Sequence, residues 1–108
     1  MADPHHPSRD QIRLDGVLTA LGHPLRLEIL RVIAEGGEYA CGRIVEGVSK
    51  STLTHHWRVL REGGVIRQRA AGRTLMISLR RDDLDARFPG LLDAVLAAAA
   101  ERTEELAV

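Results

Sequence analysis

Residues 49–79 run Ser49-Lys-Ser-Thr-Leu-Thr-His-His-Trp-Arg-Val-Leu-Arg-Glu-Gly-Gly-Val-Ile-Arg-Gln-Arg-Ala-Ala-Gly-Arg-Thr-Leu-Met-Ile-Ser-Leu79, and this stretch decides the fold. Ser49 is a good N-cap, so a helix is expected from Lys50 to Glu62. On it Leu53, Trp57 and Leu60 recur at i, i+4 and i+7 as the buried face, while Lys50, Ser51, Thr54, His55 and Arg58 lie away from it. Gly63-Gly64 stops the helix and alternation takes over. In Val65 to Ala70, Arg67 and Arg69 share a face; in Thr74 to Leu79, Leu75, Ile77 and Leu79 oppose Thr74, Met76 and Ser78. Ala71-Gly72-Arg73 makes the tip, with Gly72 free to take positive φ. A helix narrow enough for a major groove, followed by a basic hairpin, is apparatus for reading duplex DNA.

Charge points the same way. The chain has 15 Lys and Arg against 15 Asp and Glu, so it is formally neutral. From Ser49 to Arg80, however, seven bases (Lys50, Arg58, Arg61, Arg67, Arg69, Arg73 and Arg80) face Glu62 alone. The segments on either side are acidic. A polyphosphate responds to the local patch within a Debye length of roughly 10 Å.

Upstream, residues 1–8 hold two prolines and read as a flexible arm. Ser8 then caps a first helix from about Arg9 to Leu21, with Ile12, Val17, Leu18 and Leu21 as its apolar stripe. Gly22-His23-Pro24 breaks it, and Pro24 suits the first position of a second helix that ends at Gly36-Gly37. A short third helix is expected over Ala40 to Glu46, with Ile44 and Val45 inward. Joined by Gly47-Val48-Ser49 to the next helix, it completes a helix-turn-helix pattern. Downstream, Pro89-Gly90 precedes a last helix from about Leu91 to Glu105. Its broad apolar and small-residue face suits a partner copy.

With 108 residues the chain fits a single domain, residues 9–108 after the arm, and leaves little room for an enclosed catalytic pocket. Aromatics are scarce, so the core is built from Leu, Ile, Val and Ala, a composition that favours packed helices. The expected class is therefore mainly α with a small β-hairpin. Cys41 stands alone, which excludes an internal disulfide and a multi-cysteine zinc cage within one chain. No apolar leader and no membrane-length run occurs, so a cytosolic protein is expected.

Three pieces in order, Ala20-Leu-Gly-His-Pro-Leu-Arg-Leu-Glu-Ile-Leu30, Val48 to Ile66, and the Gly72-Arg73 tip, resemble the ArsR/SmtB family of bacterial winged helix-turn-helix transcriptional regulators. The resemblance implies a homodimer held by its first and last helices, here through Val17, Leu21, Leu92, Val95, Leu96 and Ala99. It implies two recognition helices presented to a palindromic operator in double-stranded DNA. By position, Lys50, Ser51, Thr52, Thr54, His55 and Arg58 match the DNA-facing helix, and Arg69 and Arg73 match the wing. His56 matches a histidine common there, and its apolar neighbours Leu53, Val59 and Leu60 favour a structural role.

Many family members sense metals through paired cysteines near the start of the third helix, where this chain has Cys41 alone. Others use histidines and carboxylates on the last helix, and here no histidine follows His56. Cys41 then reads as a small buried residue, and His23 as a helix-boundary residue. That leaves His5 and His6 on the arm, where imidazole suits Ni(II) or Zn(II) with Asp3, Asp82 or Asp83 as oxygen partners. The competing reading is a solvated or DNA-contacting arm. No catalytic constellation is evident, since His55 and His56 are adjacent and point to different sides of one helix. The rival to a DNA reader is a winged-helix dimer that binds proteins without reading sequence.

Overall fold

The structure, a computed structural model, describes residues 2–107, with side chains described for residues 2–101. Gln11 turns back to accept the Ser8 N–H at 2.9 Å, and Arg9–Gln11 closes one 3-10 turn. Ile12 and Arg13 are extended, and the helix proper, α1, covers only Leu14–Leu21. The first helix is thus split where a continuous one was expected from Arg9. The Ile12 side chain is buried against Gly64, and its carbonyl accepts both Arg87 Nε and Nη2 instead of a helical N–H.

His23 caps the second helix, α2 (Pro24–Ile33), with Nδ1 accepting the Leu25 N–H at 3.1 Å. The expected third helix is absent. Tyr39–Ala40 forms strand β1, followed by a single 3-10 turn at Cys41–Arg43. Strand pairing won here because Tyr39 and Ala40 find backbone partners in Ile77 and Met76. Ile44 and Val45 still pack half-buried on the core. The first half of the helix-turn-helix is therefore one tight turn.

Ser49 caps α3 (Lys50–Glu62) by accepting the Thr52 N–H. Two glycines end α3 for different reasons. A Cβ on Gly63 would stand 2.9 Å from both the Ala20 Cβ and the Gly16 carbonyl, so α1 approaches too closely for any side chain. Gly64 takes φ +83°, and a Cβ there would meet Ile12 at 2.6 Å. The chain then forms β2 (Ile66–Ala71) and β3 (Thr74–Leu79), paired from Ile66↔Leu79 to Ala71↔Thr74. The hairpin tip is two residues, Gly72-Arg73, with glycine first at φ +63°. With β1 added, the antiparallel sheet has the order β1-β3-β2.

Helix α4 (Arg81–Arg87) and helix α5 (Leu91–Ala107) close the fold, with α5 against α2 and α4. One core joins Val17, Leu21, Ile29, Leu30, Ile33, Trp57, Leu60, Ile66, Ile77, Leu84 and Leu92. The architecture is mainly helical with a small sheet as its wing. Among the described residues no helix is long and apolar enough to cross a membrane.

Candidate nucleic-acid interface

Burial divides α3 cleanly. Leu53, His56, Trp57 and Leu60 are buried, whereas Lys50, Ser51, Thr52, Thr54, His55 and Arg58 are all exposed. The six residues expected to face DNA thus share one solvent-facing surface.

Their polar atoms are not equally available. The Ser49 hydroxyl donates to Thr52 Oγ1 at 2.8 Å and lies 3.3 Å from Ser51 Oγ, so these hydroxyls belong to the cap network. Thr54 Oγ1 donates to the Lys50 carbonyl at 2.8 Å, which leaves its oxygen as an acceptor. Among the described residues, the side chains of Lys50 and Arg58 have no ion-pair or hydrogen-bond partner. These two cations and the His55 ring are the groups on the helix best able to engage a ligand.

The wing behaves differently. Arg73 stands exposed at the tip without a partner among the described residues. Arg69 does not share that freedom. Glu38, just before β1, accepts Arg69 Nε at 2.8 Å and Nη2 at 2.9 Å, a bidentate pair across the sheet. The guanidinium holds the Glu38 carboxyl below its usual range.

A second acidic group works at the base of the wing. Asp83 accepts Arg9 at 2.7 Å and Arg80 at 2.9 Å, with Arg67 at 3.7 Å. The hydrogen bond from Arg9 leads the causes that hold its carboxyl low, with Arg80 adding to it. Arg61 turns inward and donates to Gln68 Oε1 at 2.7 Å. Among the described residues, the cations of the 49–80 stretch whose side chains have neither a carboxylate nor a hydrogen-bond partner are therefore Lys50, Arg58 and Arg73. Glu38 and Asp83 were missed in the sequence because both lie outside the basic stretch, and only the folded sheet brings them across it.

Residues 2–7, expected as a free arm, lie along the outer edge of β2. Asp3 Oδ1 accepts the Ala70 N–H at 2.6 Å, His6 Nε2 accepts the Gln68 N–H at 2.9 Å, and the Pro7 carbonyl accepts Arg80 Nη1 at 2.7 Å. Unpaired edge N–H groups need acceptors, and a segment with prolines at 4 and 7 supplies them from side chains. Burial, then the charges of Arg67, Arg80 and Arg61, lower the His6 pKa. His5 is exposed. Among the described residues, no group of three or more His, Cys, Asp or Glu side chains could hold a metal. Burial pushes the Cys41 thiol up, away from the reactive thiolate.

Of the residues expected at a dimer interface, Val17, Leu21, Leu92 and Ala99 are buried within this chain's own fold. Val95 and Leu96 are half-buried against the core. Of the apolar stripe expected on α1, Ile12, Val17 and Leu21 are buried, whereas Leu18 stays outside: it and Leu14, one turn apart, are 50% and 47% exposed.

The comparisons with known proteins fit this geometry. A family model described as a helix-turn-helix domain matches residues 21–69, from the end of α1 into β2. The HTH-type transcriptional regulator YceK of Bacillus subtilis is 36% identical over 91 residues, which cover 82% of this chain and 90% of that protein. The transcriptional repressor BigR from Xylella fastidiosa superposes with a TM-score of 0.61 at 26% identity, covering 79% of this chain and 84% of that one. The chain belongs to the HTH-type transcriptional regulators. A solved ArsR family transcriptional regulator shares the fold with a TM-score of 0.62 at 22% identity, over 84% of this chain and 96% of that chain. As an HTH-type regulator the protein is a non-enzymatic DNA-binding protein, and its small antiparallel sheet is the wing of a winged helix-turn-helix fold.

Proposed function

We propose that this regulator reads a palindromic operator as a two-fold homodimer. The observation that carries the reading is the division of α3, with every expected DNA-facing side chain exposed and the intervening positions buried. Thr54, His55 and Arg58 approach base edges, Arg58 as a fork suited to the O6 and N7 of guanine. Lys50 and Arg73 meet phosphates, and Ser51 and Thr52 lie at the helix N-terminus, where backbone N–H groups favour a phosphate. Arg69 joins them only by leaving Glu38. Such a protein acts at the nucleoid, in the cytoplasm of the cell.

The dimer is supported by Leu14 and Leu18, which are large, apolar and half exposed on α1. On α5, half-buried Val95 and Leu96 adjoin exposed Ala94, Ala97 and Ala98, a surface low enough for close helix approach. Modulation by Ni(II) or Zn(II) through His5 and His6 finds less support, because His6 Nε2 already accepts the Gln68 N–H. A metal there has to displace the arm from β2.

The test is in-vitro selection of duplexes from a random pool, with and without added Ni(II) and Zn(II), followed by sedimentation of the free protein. Enrichment of an inverted repeat by a dimer supports the reading. Uniform recovery of all duplexes supports the rival protein-binding dimer, and a changed yield with metal restores the metal sensor.

A further inference from the structure

The buried stripe of α2 contains a charge. Arg26 falls in register with Ile29, Leu30 and Ile33, and only 8% of its surface remains exposed. An unpaired guanidinium in that position would be very costly, so its donors must find acceptors. Nε donates to the Ala20 carbonyl at 2.6 Å and Nη2 to the Thr19 carbonyl at 3.2 Å, both at the C-terminal end of α1. The Thr19 carbonyl also accepts the Gly22 N–H at 3.3 Å, but carbonyls in a last turn are under-satisfied, and a cation suits that end of the helix dipole.

The remaining contact crosses to the recognition helix. Arg26 Nη1 lies 3.0 Å from Nδ1 of His56, which is 5% exposed on the inner face of α3. Arginine has donors only, so Nδ1 must be the acceptor and the proton of neutral His56 sits on Nε2. The apolar contacts of Leu53, Trp57 and Leu60 hold α3 against the core but are non-directional. The Arg26–His56 bond is directional and links α3 to α2 and the end of α1. It lies in the middle of α3, between Thr54 and Arg58.

We propose that the Arg26–His56 hydrogen bond is a latch that fixes the rotation of the recognition helix, and that protonation of His56 opens it and weakens DNA binding. Proton uptake at Nδ1 replaces an acceptor with a donor facing a guanidinium, so the bond is lost and like charges meet. Every titratable group beside His56 opposes that proton. Arg26 belongs to α2, the His23 ring at the α1–α2 junction lies 4.6 Å away, and the His55 ring on α3 lies 5.6 Å away. Burial first, then His23, Arg26 and His55, lower the His56 pKa. The closed latch is therefore the form at neutral pH, and it opens as pH falls below the ordinary imidazole value of about 6.5.

The proposal rests on α3 being the DNA-reading helix. The experiment measures fluorescence anisotropy on a duplex selected in vitro by this protein, from about pH 7.5 to about pH 5.5 at fixed ionic strength. Wild-type affinity is expected to fall steadily toward the acid end of that range, on the way to a loss of about tenfold once His56 is fully protonated, the equivalent of a tenfold difference in proton affinity between free and bound protein. His56→Asn keeps an acceptor near the Nδ1 position without a titrating proton, and should bind within about twofold of wild type at high pH with a flat profile below. His56→Leu removes the acceptor and should bind weakly throughout. A flat or rising wild-type curve, or a His56→Asn curve that falls in parallel with wild type, overturns the latch.

Nitrogen-15 imidazole spectra of the wild type give a readout that no variant's folding can spoil. The Nε2–H tautomer, with α3 amide shifts that follow the His56 titration, supports the latch. The Nδ1–H tautomer, or α3 amides indifferent to the titration, refutes it. Should the wild type bind no duplex at neutral pH, the DNA reading fails while these spectra still decide the latch.

Discussion

Substituting Glu38→Gln should turn a neutral pair on the wing into a DNA contact. Glu38 occupies both Arg69 Nε and Nη2, so the charge of Arg69 is cancelled before any phosphate arrives. Glutamine keeps the size and one acceptor but removes the charge. Each cation that takes up a phosphate steepens the slope of log affinity against log salt by about 0.9. A two-fold dimer gains two such contacts, so the slope steepens by about 1.8, equivalent to an added factor of about 60 in affinity between 1 M and 0.1 M salt. Anisotropy titrations of a selected duplex across a salt series measure it directly. In the parent protein, Arg69→Ala should leave the slope nearly unchanged, whereas Lys50→Ala and Arg73→Ala should each lower it by about 1.8 per dimer. If Glu38→Gln changes nothing while Arg69→Ala flattens the slope, Arg69 already exchanges Glu38 for phosphate and the reasoning is refuted.

Gly64→Ala should destabilise the fold by about 2–5 kcal/mol in urea unfolding, because the left-handed backbone and the contact with buried Ile12 both oppose a Cβ. Leu14→Glu with Leu18→Glu should give a folded monomer by sedimentation with weakened operator binding, since two linked half-site contacts act as one bivalent binder. Leu92→Glu should instead unfold the chain, costing more than about 4 kcal/mol by burying a charge in its own core. Asp83 contributes stability that is present above the ordinary carboxylate range and lost as pH falls through its lowered pKa. Asp83→Asn should flatten that part of an acid-unfolding profile, read by circular dichroism.

Helix α3 was legible because every signal agreed: a serine cap, apolar residues at i, i+4 and i+7, and two glycines at the stop. The wing was legible from alternation and Gly72. The third helix was not, because pairing of Tyr39 and Ala40 with β3 is a long-range event that local periodicity cannot report. A similar limit explains the α1 error. The sequence shows Val17, Leu18 and Leu21 as one apolar stripe, but only packing against α3 shows that Val17 and Leu21 are spent on the core while Leu18 is left outside. Arg26 did leave a signal, a charge on a buried stripe that demands acceptors. Its partner His56 had already been read as structural. The neutralising roles of Glu38 and Asp83 had no local signal, since each acts on arginines from other elements of the fold.

In the proposed regulator, DNA sequence is read by the exposed face of α3. In-vitro selection from random duplexes, run in parallel on the wild type and on a chain carrying Thr54→Ala, His55→Ala and Arg58→Ala, tests that claim most directly. The wild type should enrich an inverted repeat with half-sites about one helical turn apart, and the triple variant should stay folded but lose preference within the half-sites. Recovery of the same motif by both proteins, or of no motif by the wild type, would contradict it.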